Sequence, residues 1–113
     1  MKIAYPIIYK QNNGYYLIYI PDFDGFTEAE HLDIAEVMGM ARDYISDCYV
    51  MLENENKTIP KPSNYEQAVL IAKEQADSDD FIFSDGELTY VDIDKDTTTY
   101  RELLERLNNG TNK

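Results

Sequence analysis

Two β-rich stretches open the chain and predict a hairpin. The segment KIAYPIIYK alternates in character, and the run YYLIYI follows it after the polar stretch QNNG. The pattern predicts strands over residues 2–10 and 15–20, joined by Asn13-Gly14, a dipeptide typical of tight hairpin turns. Because proline cannot donate a hydrogen bond to a neighbouring strand, we expect Pro6 at a sheet edge or a bulge.

Helical spacing replaces this pattern after a short third strand, which is predicted at about residues 25–31. Apolar residues then recur every three or four positions from Ile34 to Leu52. This spacing predicts a long amphipathic helix that runs to about Asn54. Asp33 stands directly before the pattern, and we expect its side chain to cap the N-terminus of the helix.

The second half of the chain predicts a shorter helix, a returning strand and a terminal helix. Residues 64–76 form the predicted second helix, with Ser63 and Glu66 at the spacing of a capping box. The alternating segment ELTYVDID predicts a strand at 87–93, which we expect to pair with the N-terminal hairpin. A short C-terminal helix follows, with an apolar stripe of Tyr100, Leu103, Leu104 and Leu107.

These elements predict an α+β fold. It comprises a three-stranded antiparallel meander, a long helix, a second helix, a returning strand and a short C-terminal helix. The length of 113 residues suits one compact domain, which we place at residues 1–95, with the C-terminal helix and a frayed tail at 96–113. The single cysteine excludes an intrachain disulfide. No signal peptide is recognisable, and no apolar run reaches the roughly 20 residues that cross a bilayer, so we expect a cytoplasmic protein.

The charge of the chain narrows the class of partner. The net charge is −12, and all 22 acidic residues lie after residue 20. Such a surface repels nucleic-acid phosphates and attracts basic proteins, whose encounter it accelerates. A purely solubilising role for this charge remains an alternative.

The segment YIPDFDGFTEAE concentrates the candidate chemistry. Its carboxylates, Asp22, Asp24, Glu28 and Glu30, are of the type that binds Mg²⁺ or Mn²⁺ in two-metal nucleases. Their spacing matches no calcium loop, and Glu28 and Glu30 share one strand face because alternate residues point the same way. A solvated acidic strand face is the simpler interpretation. We therefore predict no catalytic residue and no metal site, and the single histidine, His31, has no recognisable catalytic partner.

Tyrosine is unusually frequent, and it is concentrated in the hairpin. Five of the ten tyrosines lie between residues 5 and 19. They predict either cross-strand packing pairs or a partner-binding face, since tyrosine combines an apolar ring with a polar hydroxyl. Together with the carboxylates, they define the candidate partner-binding residues: Asp22, Asp24, Glu28, Glu30, Tyr15 and Tyr19.

Several of these motifs, taken in order, resemble the HicB family of antitoxins. The match spans about residues 3–94 and includes LTYVDID as the last strand. The other motifs are Gly14-Tyr15, Pro21-Asp22-Phe23-Asp24-Gly25, Thr27, Glu28, the helix through Ala35 to Ala41, and Ile59-Pro60-Lys61-Pro62-Ser63. The markers with an expected structural role are Pro21, Gly25, Pro60, Pro62 and Ser63.

The resemblance implies a partial ribonuclease H-like fold without catalysis and without a cofactor. It also implies a partner, because HicB antitoxins bind a small basic HicA-type toxin and block its mRNA-cleaving activity. The acidic charge suits such a partner. Family members form dimers or larger symmetric assemblies, which we expect here. Only 19 residues follow Asp94, too few for a helix-turn-helix, so we do not expect direct DNA binding.

Two other functions remain open at this point. The first is an orphan HicB-fold protein that regulates or binds RNA, with the tyrosines as stacking platforms for bases. The second is a metal-dependent nuclease that uses the carboxylates of the acidic segment. The strongly negative charge argues against both, because each requires the approach of a polyanion.

Overall fold

The computed structural model describes residues 2–94. A 3-10 turn at Pro21–Phe23 separates the second and third strands, and a π-type turn at Ala72–Ala76 continues the second helix. The predicted C-terminal helix at 96–113 lies outside the described residues, and the domain boundary at 95 therefore stays a prediction. The strands and helices, in chain order, are β1 (Lys2–Asn12), β2 (Tyr15–Ile20), β3 (Gly25–Ala29), α1 (Ile34–Asn54), α2 (Tyr65–Ile71) and β4 (Glu87–Asp94).

All four strands form one antiparallel sheet in the order β3-β2-β1-β4. One row of side chains crosses the whole sheet from Phe26 through Tyr19 and Ile8 to Leu88. The meander of the first three strands and the return of β4 to the hairpin are both as predicted. The predicted α+β class is confirmed.

The position of Pro6 differs from the prediction, since β1 is an interior strand with β2 on one side and β4 on the other. The pairing of β1 with β2 begins only at Ile8, whereas its pairing with β4 begins at Lys2. Pro6 therefore lies in the part of β1 that has a single strand neighbour. The missing N–H is tolerated there without an edge strand or a bulge.

The two faces of the sheet bury different groups of side chains, because alternate strand residues point to opposite faces. The first face packs against α1, and the second packs against α2 and the loop that follows it. The buried residues on the first face are Tyr5, Ile7, Ile18, Ile20, Ala29, Val91 and Ile93, against Val37, Ala41, Ile45 and Tyr49 of α1. Those on the second face are Ile8 and Tyr19, against Ala72 and Phe83.

The start of α1 is capped as predicted. The Asp33 carboxylate accepts a hydrogen bond from the Ala35 N–H at 2.9 Å. The helix begins at Ile34 and ends at Asn54. Its start was predictable because the cap and the apolar periodicity are local features of the chain. No helix within residues 2–94 is both long enough and apolar enough to cross a membrane.

The cap of α2 lies one residue later than predicted. Asn64 accepts from the Gln67 N–H at 2.9 Å, and the Gln67 side chain accepts from the Asn64 N–H at 3.0 Å, which completes a capping box. The prediction of Ser63 as the cap was therefore wrong. Its N–H and its hydroxyl both donate to Asp22 instead, a tertiary contact that local spacing does not reveal.

The loop between the helices is fastened to the sheet by two tyrosine hydroxyls. Tyr5 donates to the carbonyl of Pro60 at 2.7 Å, and Tyr90 donates to the carbonyl of Ser63 at 2.9 Å. The segment IPKPS is thereby tied to β1 and β4. These two hydrogen bonds give the motif a structural role, since they hold the interhelical loop against the sheet.

Candidate partner-binding surface

The outer surface of β3 combines carboxylates with an exposed aromatic ring. Phe26 and Glu28 lie at alternate positions of this edge strand and therefore share the second face of the sheet. Asp24 precedes the strand and Glu30 follows it, and both side chains are exposed. We call these four residues the β3 stripe: Asp24, Phe26, Glu28 and Glu30.

Three of the six predicted partner-binding residues meet in one groove beside the β3 stripe. Tyr15, Glu28 and Glu30 line a groove of about 320 Å³. The Asn12 side-chain amide donates to the Tyr15 hydroxyl at 3.1 Å and so helps to orient it. Two carboxylates and a phenol without a basic residue favour an ammonium or guanidinium group as the ligand.

Two other predicted carboxylates are engaged within the chain. The Asp22 carboxylate accepts from Ser63, at 2.9 Å from its N–H and also from its hydroxyl. The Asp24 carboxylate accepts from the Tyr19 hydroxyl at 3.0 Å. Asp22 thus has a structural contact, whereas Asp24 remains exposed and accessible to a partner.

Tyr19 is not available for direct contact in this structure. Its exposed fraction is 0%, and its ring forms a cluster with the rings of Phe26, at a centroid distance of 5.0 Å, and Phe83, at 5.6 Å. Burial and then the hydrogen bond to Asp24 raise its pKa, so the hydroxyl stays protonated and remains a donor. Tyr19 was predicted as a partner-binding residue, but in the described fold it supports Phe26 and Asp24 from below.

Phe26 is the residue of this surface that the sequence did not single out. The residue is 52% exposed although its ring also contacts Phe83, with ring centroids 5.3 Å apart. A ring held on one side and open on the other is typical of an anchor in a protein interface. The available signal was the alternation that places Phe26 two residues before Glu28.

The carboxylates of the acidic segment do not converge. Among residues 2–94, no group of three or more His, Cys, Asp and Glu side chains is arranged to hold a metal ion. The fold instead separates them, because Asp22 turns toward the interhelical loop while Glu28 and Glu30 lie along the β3 surface.

The family-marker residues shape the turn and the loop around this surface. Pro21 is buried at the start of the 3-10 turn, and Asp24, which ends it, has a left-handed backbone with φ 45°. Gly25 lies against the end of the Tyr44 side chain, so a Cβ there would force the phenol to move. In the loop, Pro60 and Ser63 accept the tyrosine hydrogen bonds described above, and Pro62 is exposed.

Comparison with solved structures identifies the same overall fold in two toxin–antitoxin complexes. One is described as a toxin–antitoxin complex from Streptococcus pneumoniae. A chain of it superposes with a TM-score of 0.66 and 20% identity, over 98% of this chain and 89% of that chain. The other is described as a HicA3 and HicB3 toxin–antitoxin complex. Its matching chain gives a TM-score of 0.57 and 24% identity, over 81% of this chain and 99% of that chain.

The fold is HicB-like. This confirms the fold that the sequence motifs implied. No family model and no curated protein matches the sequence itself. At these identities the similarity concerns the fold, and the function has to be argued from the surface.

Proposed function

We propose that this chain is a HicB-like antitoxin that binds a small basic HicA-type toxin and occludes its mRNA-cleaving surface without catalysing a reaction. The observation that carries the proposal is the fold, which the chain shares over most of its length with chains of two toxin–antitoxin complexes. Occlusion requires only a complementary surface, and β3 offers one.

The charge of the β3 stripe supports a basic partner. Glu28 and Glu30 line a groove without a basic side chain, in a chain whose net charge is −12. Complementary charge accelerates encounter and disfavours acidic partners and nucleic acids. Phe26 supplies an apolar contact at the centre of the stripe, where an aromatic anchor can be desolvated by the partner.

Self-association and location belong to the same proposal. Within residues 2–94, the outer edges of β3 and β4 have no strand partner, and exposed edges favour pairing with another chain. We propose a homodimer or a higher symmetric oligomer, acting in the cytoplasm, where a toxin that cleaves mRNA would operate. Direct DNA binding is not part of the proposal, since the negative charge opposes it.

The test is inhibition of a HicA-type toxin from the same genome. The purified chain is titrated into an mRNA-cleavage assay, and binding is followed in parallel by calorimetry. We expect stoichiometric binding and loss of cleavage in proportion to the complex formed. An intact toxin that is neither bound nor inhibited at saturating concentrations of the chain would contradict the proposal.

A matched pair of variants assigns the contact to the β3 stripe. Phe26→Ala removes the exposed anchor and is expected to weaken binding by about 30-fold or more, the cost of an interface hot spot. Leu70→Ala removes a similarly exposed apolar side chain from α2. It should leave the affinity within about twofold, since it lies outside the stripe. Thermal unfolding of both variants separates lost contact from lost fold.

A further inference from the structure

A second groove lies on the opposite face of the sheet, and the proposed function does not use it. It has a volume of about 440 Å³ and lies beside the ends of β1, β2 and β4. Tyr9, Tyr16, Gln11, Ile34 and Glu87 line it, together with the turn at Asp85-Gly86 and the adjoining Lys10.

Two tyrosine rings form a right-angled corner in this second groove. The ring centroids of Tyr9 and Tyr16 are 5.5 Å apart, and their planes meet at 83°. Both rings are only partly buried against the core. Glu87 is the direct cross-strand neighbour of Tyr9, so its carboxylate stands on the same face as the rings. Burial, with Glu87 as the next cause, raises the pKa of Tyr9, which keeps that phenol neutral.

The charges around the corner leave one carboxylate available. Lys10 points to the other face of the sheet, where its Nζ lies 2.5 Å from an Asp85 carboxylate oxygen and 5.2 Å from the centroid of the Phe81 ring. Lys10 and Asp85 therefore compensate each other. Within residues 2–94, the carboxylate of Glu87 has no ion pair and no hydrogen bond.

We propose that this second groove binds the guanidinium group of an arginine side chain carried by another protein. The planar guanidinium stacks on a tyrosine face and forms paired hydrogen bonds with a carboxylate, and the Tyr9, Tyr16 and Glu87 corner offers both. The net charge of −12 favours a cationic protein over an anionic ligand. The site is independent of the β3 stripe, which lies on the opposite face.

The test uses blocked amino acids and NMR spectroscopy of the full chain. N-acetyl-arginine-amide is titrated into the protein. In a separate titration the ligand is N-acetyl-citrulline-amide, which has nearly the same shape and no charge. We expect the ring signals of Tyr9 and Tyr16 and the amide signal of Glu87 to shift with the arginine compound. The affinity for the citrulline compound should be lower by a factor of about ten or more.

Three variants measure separately how much the Glu87 charge and the Tyr16 ring contribute to arginine binding. Glu87→Gln removes the charge from an exposed position and should weaken arginine binding about fivefold. Tyr16→Leu removes one ring and should weaken it similarly, whereas Tyr16→Phe keeps the ring and should bind as the wild type does. Thermal unfolding shows whether each variant is folded. If Tyr16→Leu does not fold, the affinity of the Glu87→Gln variant for the arginine compound is sufficient to test the site.

Several results would overturn the assignment. Equal shifts with the arginine and citrulline compounds would show that the groove does not recognise the positive charge of the guanidinium group. Shifts confined to Tyr15 and Glu28 would place the cation in the other groove. Tighter binding of free L-arginine than of the blocked compound would identify the free amino acid as the ligand. Since no toxin is present, each of these results leaves the proposed antitoxin function intact.

Discussion

The carboxylate of Asp22 accepts hydrogen bonds from both the N–H and the hydroxyl of Ser63, 41 residues further along the chain. The contact joins the turn after β2 to the loop before α2. Ser63 therefore does not cap α2, and the Asp22 carboxylate, which was expected to contact a partner, is hydrogen-bonded within the chain. A single tertiary contact therefore changes the role of two residues at once.

The contribution of this contact to stability can be measured by a double-mutant cycle. Asp22→Ala should lower the free energy of unfolding by about 2 kcal/mol, since it removes a charged acceptor of two hydrogen bonds. Ser63→Ala should cost about 1 kcal/mol, because the N–H donor remains. The coupling energy from urea unfolding should be about 1 kcal/mol, and purely additive effects would contradict the described contact.

The same substitution at two glycines should have opposite effects. Gly25→Ala places a methyl group against the phenol of Tyr44 and should destabilise the protein by about 1–3 kcal/mol. Gly39→Ala lies within α1 with no atom within 4 Å of the added Cβ, and should stabilise it by about 0.5–1 kcal/mol. Thermal or urea unfolding gives both values. An unchanged stability of the Gly25→Ala variant would show that the phenol of Tyr44 can move away from Gly25 without cost.

Stability should fall at alkaline pH as Tyr5 ionises. Burial, with Tyr49 and Asp22 as further causes, raises the pKa of Tyr5 from 10.0 to about 12. The folded state therefore favours the protonated phenol. This stabilisation is complete below pH 10 and is lost as the pH rises toward about 12.

Tyr5→Phe is the matched control for this pH dependence. At neutral pH it should cost about 1 kcal/mol, since the hydrogen bond to Pro60 is lost. Because Phe cannot ionise, the unfolding free energies of the two proteins should converge between pH 10 and about 12. Parallel curves across this range would argue against a raised pKa at Tyr5.

Reversing the charge of the two glutamates in the groove beside the β3 stripe should weaken binding of the proposed toxin. The double variant Glu28→Lys/Glu30→Lys is expected to lower the association rate about tenfold or more at low salt, because complementary charge steers the encounter. Glu66→Lys/Glu74→Lys makes the same change in net charge at exposed positions of α2 and the turn after it. Stopped-flow association rates compare the two, and equal losses would mean that overall charge alone attracts the partner.

Much of the local structure was predictable because its causes are close together in the chain. The hairpin follows from alternation around Asn13-Gly14, and α1 follows from its apolar period and the Asp33 cap. The acidic groove was predictable only in part. Glu28 and Glu30 follow from strand alternation, whereas the approach of Tyr15 depends on how β2 pairs with β3.

The remaining features depend on contacts between distant residues. By itself, the sequence determined the element types, the helix start and the acidic charge, since these rest on local periodicity and composition, and the order of its motifs resembles the HicB family. Only the tertiary structure decided that β4 makes β1 an interior strand, that Ser63 binds Asp22 and that Tyr19 lies buried beneath Phe26. The physical reason is that burial and hydrogen-bond partners are set by which elements pack together, and a linear pattern does not encode that choice at any single position.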